Sequence, residues 1–342
     1  MTRNPVKFGI LGAANIARAF ASGIHGSDVV TVAAVASRDV EKARAFATEF
    51  AVPTSYGSYE ELLADSSIDA VYVPLPNDLH FQWAIAAMHA GKHVLCEKPL
   101  ALSAEEAQEM FRVARQCGVR LVEAYPYRAQ PQTATVQTLL RQTGIGRVRT
   151  VTADFGVVFK DVNNIRLNPA RGGGALFDLG SYTVNFVRMV TGERPTRVYA
   201  TAQWSSTGVD ESVVGILEHA NGILAHVSCS LSTAYHRHAL IAGETGSIET
   251  RFLNSPPEGG PAVVDVRRGV RSDAQHESVM TEAKNGFRAE AESFADLLTA
   301  GPGAWTGSTP QESFDTISAL GALLESARTG EWVVPKAAFI DS

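Results

Sequence analysis

Apolar runs that alternate with capped, helix-like segments constrain this chain more than any other feature. Lys7-Phe8-Gly9-Ile10-Leu11 is the first run, and Val30-Thr31-Val32-Ala33-Ala34-Val35-Ala36 is the second. Ala70-Val71-Tyr72-Val73, His93-Val94-Leu95-Cys96 and Arg120-Leu121-Val122-Glu123 follow. The runs are continuous rather than alternating, which suits strands buried on both faces of a parallel sheet. The intervening segments carry helix punctuation. Asp39 can cap a helix over 40–50. Ser58-Tyr59-Glu60-Glu61 and Ser103-Ala104-Glu105-Glu106 match the capping box. Gly91 and Gly118 fall where helices should stop. Repeated strand–helix order predicts a doubly wound sheet.

The pattern changes after Tyr125. Strand-like runs follow one another at 148–158, 197–204, 213–218, 223–230, 239–242 and 263–267. Several alternate polar and apolar, as in Leu224-Ala225-His226-Val227-Ser228-Cys229-Ser230, which suits an antiparallel sheet. Helices are expected at 131–143 and 178–191, and a last one at 311–328 with Phe314, Ile317, Leu320, Leu323 and Leu324 at helical spacing. Pro- and Gly-rich loops are expected at 254–262 and 301–307. The expected fold is α/β, with an N-terminal doubly wound parallel sheet (1–125) and a C-terminal α+β domain (126–342). So many strands with so few helices leave one sheet face open. A homodimer or homotetramer through that face is therefore expected.

Composition narrows the function. The net charge of -6 gives no reason to expect nucleic acid as a partner. The 3 cysteines lack any CxxC spacing, so a reducing compartment without structural zinc is expected. His236 and His238 alternate on a strand and His226 is isolated, so no metal site is expected. No signal peptide or membrane span is read, and a cytoplasmic protein is the default expectation.

Four stretches could carry chemistry. The first turn, Gly12-x-Ala14-x-x-Ala17, is a degenerate GxGxxG. Small residues there let a pyrophosphate approach a helix N-terminus. The second strand runs out into Ser37-Arg38-Asp39. Ser37 and Arg38 suit the 2′-phosphate of NADP, whereas Asp39 could serve the free ribose of NAD. Cys96-Glu97-Lys98-Pro99 holds a lysine on a stiff turn at a strand end, where open α/β sheets bind ligands. In Arg171-Gly172-Gly173-Gly174-Ala175-Leu176-Phe177-Asp178-Leu179-Gly180-Ser181-Tyr182, a helix would put Asp178 and Tyr182 one turn apart, with Asn185 beside Tyr182.

Together these residues resemble the glucose–fructose oxidoreductase / inositol dehydrogenase / rhizopine-catabolism (Gfo/Idh/MocA) family over essentially the whole length. The resemblance rests on the Gly12 turn, Pro76-Asn77-x-x-His80, Cys96-Glu97-Lys98-Pro99, Gly172-Gly173-Gly174-Ala175-Leu176-x-Asp178 and Phe287-Arg288-Ala289-Glu290. Tyr182, Ser37-Arg38-Asp39 and Thr207-Gly208-Val209-Asp210-Glu211 look most like the branch of dimeric dihydrodiol dehydrogenase and NADP-dependent D-xylose dehydrogenase. The resemblance implies a Rossmann domain and a substrate domain, with the last helix packing back near the former. It implies Lys98, Tyr182 and Asp178 as catalytic residues. It implies Gly12, Ala14, Asn15, Ile16, Ser37, Arg38, Pro76, Asn77, His80, Glu97 and Lys98 on the cofactor, and Lys98, Arg171, Asp178, Tyr182 and Asn185 on the substrate. The implied activity is hydride transfer between NADP (or NAD) and a cyclic sugar or polyol hydroxyl. A sugar–sugar oxidoreductase with NADP permanently bound is one alternative. A non-catalytic NADPH-sensing regulator is another, against which intact Lys98, Asp178 and Tyr182 argue.

Overall fold

The computed structural model describes residues 4–142, 144–161, 163–255 and 261–337. Part of the expected 254–262 loop lies outside them. In chain order the first elements are β1 (Val6–Leu11), α1 (Asn15–Ile24), β2 (Val30–Ala36), α2 (Val40–Glu49), β3 (Thr54–Tyr56) and α3 (Tyr59–Ala64). Then come β4 (Ala70–Val73), α4 (His80–His89), β5 (His93–Glu97), α5 (Ala104–Gln116) and β6 (Leu121–Ala124). These six strands form one sheet in the order β3-β2-β1-β4-β5-β6, parallel throughout. The order reverses between β1 and β4, the switch point where such sheets bind nucleotides.

The next elements are α6 (Pro131–Arg141), β7 (Val148–Gly156), α7 (Ser181–Thr191), β8 (Arg197–Trp204), β9 (Asp210–Glu218) and β10 (Leu224–Ser230). β11 (His236–Gly243), β12 (Gly246–Thr250), β13 (Val263–Arg268) and β14 (Gln275–Met280) complete a second sheet, ordered β14-β13-β12-β11-β7-β10-β9-β8. Only β7 and β10 pair in parallel there, so the sheet is mostly antiparallel. α8 (Gly286–Ala300) and α9 (Pro310–Thr329) end the chain's regular structure.

The chain divides into two compact units, and the division differs from a single cut at residue 125. The first unit holds 1–101, 105–129 and 284–309; the second holds 102–104, 130–283 and 310–342. Helix α8 therefore belongs to the first unit. Its Phe294 packs on Phe8 (centroids 5.5 Å apart), which also meets Phe20 at 5.5 Å. Phe20 stacks on Tyr72 at 4.1 Å. Asn285 caps α8 by accepting from the Phe287 and Arg288 amides. The last helix, α9, is not the element that returns to the first unit. It packs on β8 and α7 within the second.

In the second sheet, β9 and β10 alternate as expected. Val213, Leu217, Ala225 and Val227 are buried, whereas Val214 (45% exposed), Ile216 (43%) and Leu224 (52%) face away from them. α9 covers the buried side, where its Leu323 closes on Gly215.

Candidate active site

The first unit carries the nucleotide signature. Gly12 has φ +106, and its amide donates to the Ala36 carbonyl at 2.8 Å. A Cβ there would sit 3.0 Å from Leu75 and 3.7 Å from the Tyr59 hydroxyl. Helix α1 begins after Ala14, with no side chain on its first amides. Ala14 and Asn15 are exposed and Ile16 is half-buried. An uncapped helix start behind a tight glycine turn is a cradle for an anion. The residues present therefore fit a dinucleotide pyrophosphate.

Asp39 follows β2 at the start of α2. Its carboxylate accepts from the Glu41 and Lys42 amides and caps α2. Ser37 accepts from the Asp39 amide at 3.2 Å. Arg38 is exposed, and its guanidinium faces the hydroxyl of Tyr59. Burial pushes the Tyr59 phenol up in pKa, while Arg38 pulls it down.

The Lys98 turn is gripped from beneath by three buried side chains. Glu97 accepts from the Tyr72 hydroxyl at 2.5 Å and from the Lys98 amide at 3.3 Å. Glu123 accepts from the Leu100 amide at 2.9 Å. His80 faces the Pro99 and Leu75 carbonyls with its two ring nitrogens, each at 2.8 Å. Lys98 itself is half-buried, and the Lys98–Pro99 peptide is cis. Two of the expected cofactor residues are thus buried beneath the turn. Both nitrogens of His80 serve backbone carbonyls, and the ring is wholly buried, which pushes its pKa down. Glu97 turns into the sheet towards Tyr72, because the strand register sets that edge of β5 beside β4. Both hold the turn. Pro76 and Asn77 lie half-buried at the start of the short turn that leads to His80.

The second unit carries the Asp178–Tyr182 segment. Asn168 opens a short turn, Pro169–Arg171, that ends at Gly172 (φ +67). Arg171 lies half-buried there. Residues 176–180 form one π-helical turn that runs into α7, a wider turn than the expected α-helix. Such turns interrupt helices at functional sites. Gly174 has φ +122, and a Cβ on it would stand 2.1 Å from Asp210 Oδ1. Asp210 accepts from the Leu176 amide at 2.7 Å and is buried, which raises its pKa to about 6. Asp178 accepts from Arg166 Nε. The Tyr182 hydroxyl accepts from Asn254 Nδ2 at 3.0 Å. Asn185, expected on the substrate beside Tyr182, is corrected: it is fully buried and donates to Thr316 of α9 at 3.2 Å. Three residues beyond Tyr182 on α7, it falls on the face that α9 covers.

Among the described residues, no group of three or more metal-ligating side chains could hold an ion, and no helix is long and apolar enough to cross a membrane.

Sequence comparison gives these features a family. The profile of the oxidoreductase family with an NAD-binding Rossmann fold matches residues 6–125, and that of the GFO/IDH/MocA C-terminal domain matches 133–249. The D-xylose 1-dehydrogenase (NADP(+)) 2 of Haloferax volcanii is 37% identical over 334 residues, 94% of this chain and 98% of that protein. The chain belongs to the Gfo/Idh/MocA family of oxidoreductases. The trans-1,2-dihydrobenzene-1,2-diol dehydrogenase of Danio rerio is 38% identical over 247 residues, 71% of this chain and 74% of that protein. Among solved structures, the 3-ketoreductase KijD10 from Actinomadura kijaniata, in complex with NADP and TDP-benzene, superposes with a TM-score of 0.86. It is 30% identical and covers 94% of this chain and 98% of its own.

Several residues that shape this Gfo/Idh/MocA site carry no local sequence signal. Arg166 reaches Asp178 across 12 residues, and Asn254 reaches Tyr182 across 72. Tyr59 and Asp210 were visible only as a helix start and part of a turn motif. The helical spacing of Phe287, Ala291, Phe294 and Ala295 was a legible signal for α8, which the strand-rich reading of this region passed over.

Proposed function

We propose that the chain is an NADP-dependent dehydrogenase or reductase that acts on a cyclic sugar or related polyol hydroxyl, with Lys98, Tyr182 and Asp178 as its catalytic residues. The observation that carries this reading is the Asp178–Tyr182 segment. The π-helical turn carries a carboxylate that Arg166 contacts, and the first turn of α7 directly after it carries a phenol that Asn254 contacts. The xylose dehydrogenase and dihydrodiol dehydrogenase relatives support the substrate class. Two further solved forms of the ketoreductase carry a tyrosine-to-phenylalanine and a lysine-to-alanine change, the residue types assigned here.

The bound nicotinamide supplies hydride exchange with the substrate carbon. Oxidation of an alcohol also releases the hydroxyl proton. In this reading Tyr182, as tyrosinate, takes that proton at its phenolic oxygen, and in reduction it returns it. A free phenol has a pKa of about 10 and is a weak base at neutral pH. A positive charge beside the phenol would favour the tyrosinate and lower that pKa. Asp178 accepts from a neighbouring sugar hydroxyl and so fixes the reacting carbon. A spectrophotometric panel of aldoses, inositols and dihydrodiols with NADP and NAD tests the activity. No turnover of any member would sink it.

The cofactor choice has its own test. Asp39 caps α2, which leaves Ser37 and Arg38 to meet the adenosine ribose. A guanidinium matches a phosphate's geometry, and the pair is charge-assisted. Arg38→Ala should weaken NADP by about 1.5–3 kcal/mol, roughly ten- to a hundred-fold, and leave NAD nearly unchanged. Comparison of kcat/KM for both nucleotides checks this. A wild type that prefers NAD, with no effect of the change, would refute it.

The proposed assembly is a homo-oligomer on the second sheet. Val214, Ile216 and Leu224 cluster on its exposed face in paired strands β9 and β10. Light scattering at micromolar concentration should give a dimer or a tetramer, and a monomer would overturn the proposal. A reducing, cytoplasmic setting agrees with the 3 free cysteines, of which Cys96 and Cys229 are buried.

A further inference from the structure

Arg237 is a buried cation on β11 for which the hydride-transfer reading has so far given no role. Its guanidinium lies 4.4 Å from the ring centroid of Tyr182, 4.7 Å from that of Phe155 and 4.6 Å from that of Phe252. Strand pairing accounts for part of this, since Arg237 stands opposite Phe155 across β11 and β7. Asn254 links the same cation to the phenol from the other side. Its Oδ1 accepts from Arg237 Nη2 at 3.3 Å, and its Nδ2 donates to the Tyr182 hydroxyl at 3.0 Å.

The segment that carries Asn254 is itself pinned. Gln130 donates to the Asn254 carbonyl at 2.7 Å, and Gln132 accepts from the Leu253 amide at 3.2 Å. Phe252 adopts φ +38, a left-handed conformation that is costly for a bulky side chain. Strain held by surrounding structure clusters where a position matters for function. Arg237, Asn254 and Phe155, all distant from it in sequence, thus converge on the Tyr182 side chain.

We propose that Arg237, with Asn254 as its link, is a positioning residue that holds the Tyr182 phenol in place and favours its tyrosinate form. The inference rests on the assignment of Tyr182 as acid/base. A cation within a few ångströms of a buried phenol stabilises the phenolate, and the hydrogen bond donated by Asn254 does the same. The other charged or titratable groups around this segment are Asp178 with Arg166, Asp210 from β9 and Cys229 from β10. The buried carboxylate of Asp178 opposes the phenolate, so a neighbouring cation is what the base requires.

The test is Arg237→Met, which keeps an apolar side chain of similar length among the three rings, with Arg237→Lys to restore the charge. In the Met variant the acid limb of the kcat/KM profile should move up by about one to two pH units, with turnover recovered at high pH. Arg237→Lys should restore most of the profile, and Asn254→Ala should move it part of the way in the same direction. NMR titration of 13C-labelled tyrosine, with the Tyr182 signal identified from Tyr182→Phe, reads the phenol directly without turnover. An upward shift of that signal in Arg237→Met supports the inference even if Tyr182→Phe keeps full activity, in which case only the acid/base reading fails. An unmoved signal, or a loss of activity uniform across pH with no rescue by lysine, would overturn it.

Discussion

Tyr182→Phe should lower turnover by roughly a hundred- to ten-thousand-fold, the range of a lost general acid/base. The change removes one oxygen and leaves the ring. The ring's edge contact with Phe155 (centroids 5.6 Å apart) and its face contact with Arg237 remain. The Asn254 amide loses its acceptor, and Asn254 is half-buried, where water can replace it. Stability should therefore fall by no more than about 1 kcal/mol. NADPH affinity, read by fluorescence titration, should stay within about two-fold, because Tyr182 is not among the residues assigned to the nucleotide. Near-normal turnover in this variant would remove Tyr182 from the mechanism. A large loss of nucleotide affinity would assign it a different role.

The second large effect is expected at Gly174. Its φ of +122 is a conformation that side chains avoid, and a Cβ would stand 2.1 Å from a carboxylate oxygen of Asp210. Asp210 cannot yield cheaply. It is 2% exposed, and its other oxygen holds the Leu176 amide that begins the π-helical turn. Gly174→Ala thus adds backbone strain of about 1–3 kcal/mol and a lost buried hydrogen bond of about 1–3 kcal/mol. Melting should fall by on the order of 5–15 °C. Turnover should fall as well, since Asp178 and Tyr182 follow directly. Gly303→Ala, where a Cβ meets nothing within 4 Å, is the control and should melt within about a degree of wild type. If Gly174→Ala matched that control in both stability and turnover, the glycine loop would not be what sets the segment.

The first sheet was legible because a strand buried on both faces must be apolar throughout, and each helix between strands carries its own cap. Asp39, Gly91 and Gly118 behave as read, with φ +73 and +67 at the two glycines. The capping box at Ser58 is half as read. Ser58 accepts from the Glu61 amide, but Glu61 reaches back to the Gly57 amide instead of that of Ser58. The edge strand β14, Gln-His-Glu-Ser-Val-Met, escaped notice because it is almost wholly exposed and so bears no apolar signature. Motif residues were legible as types, but the direction of a side chain is not. Glu97 sits in the same motif as Lys98 and His80 in the one before it, yet the fold that leaves the lysine half-buried buries both of them. Arg166, Arg237 and Asn254 had no local signal at all. Their contacts are made across 12 to 72 residues, and only the folded sheet brings them to Asp178 and Tyr182.

The return of residues 284–309 to the first unit bears on how the chain is made. When β6 leaves the ribosome, all six strands of the parallel sheet exist, but Phe8 still lacks Phe294, and Gly23 of α1 lacks Asn285 and Phe287 beside it. The missing helix is encoded after every strand of the second sheet. The N-terminal domain therefore cannot close as soon as its first stretch of chain is made, the usual course during synthesis. The second sheet is complete in the nascent chain before the first unit can seal its core, and α9 of the second unit follows later still, so both units close only near the end of synthesis.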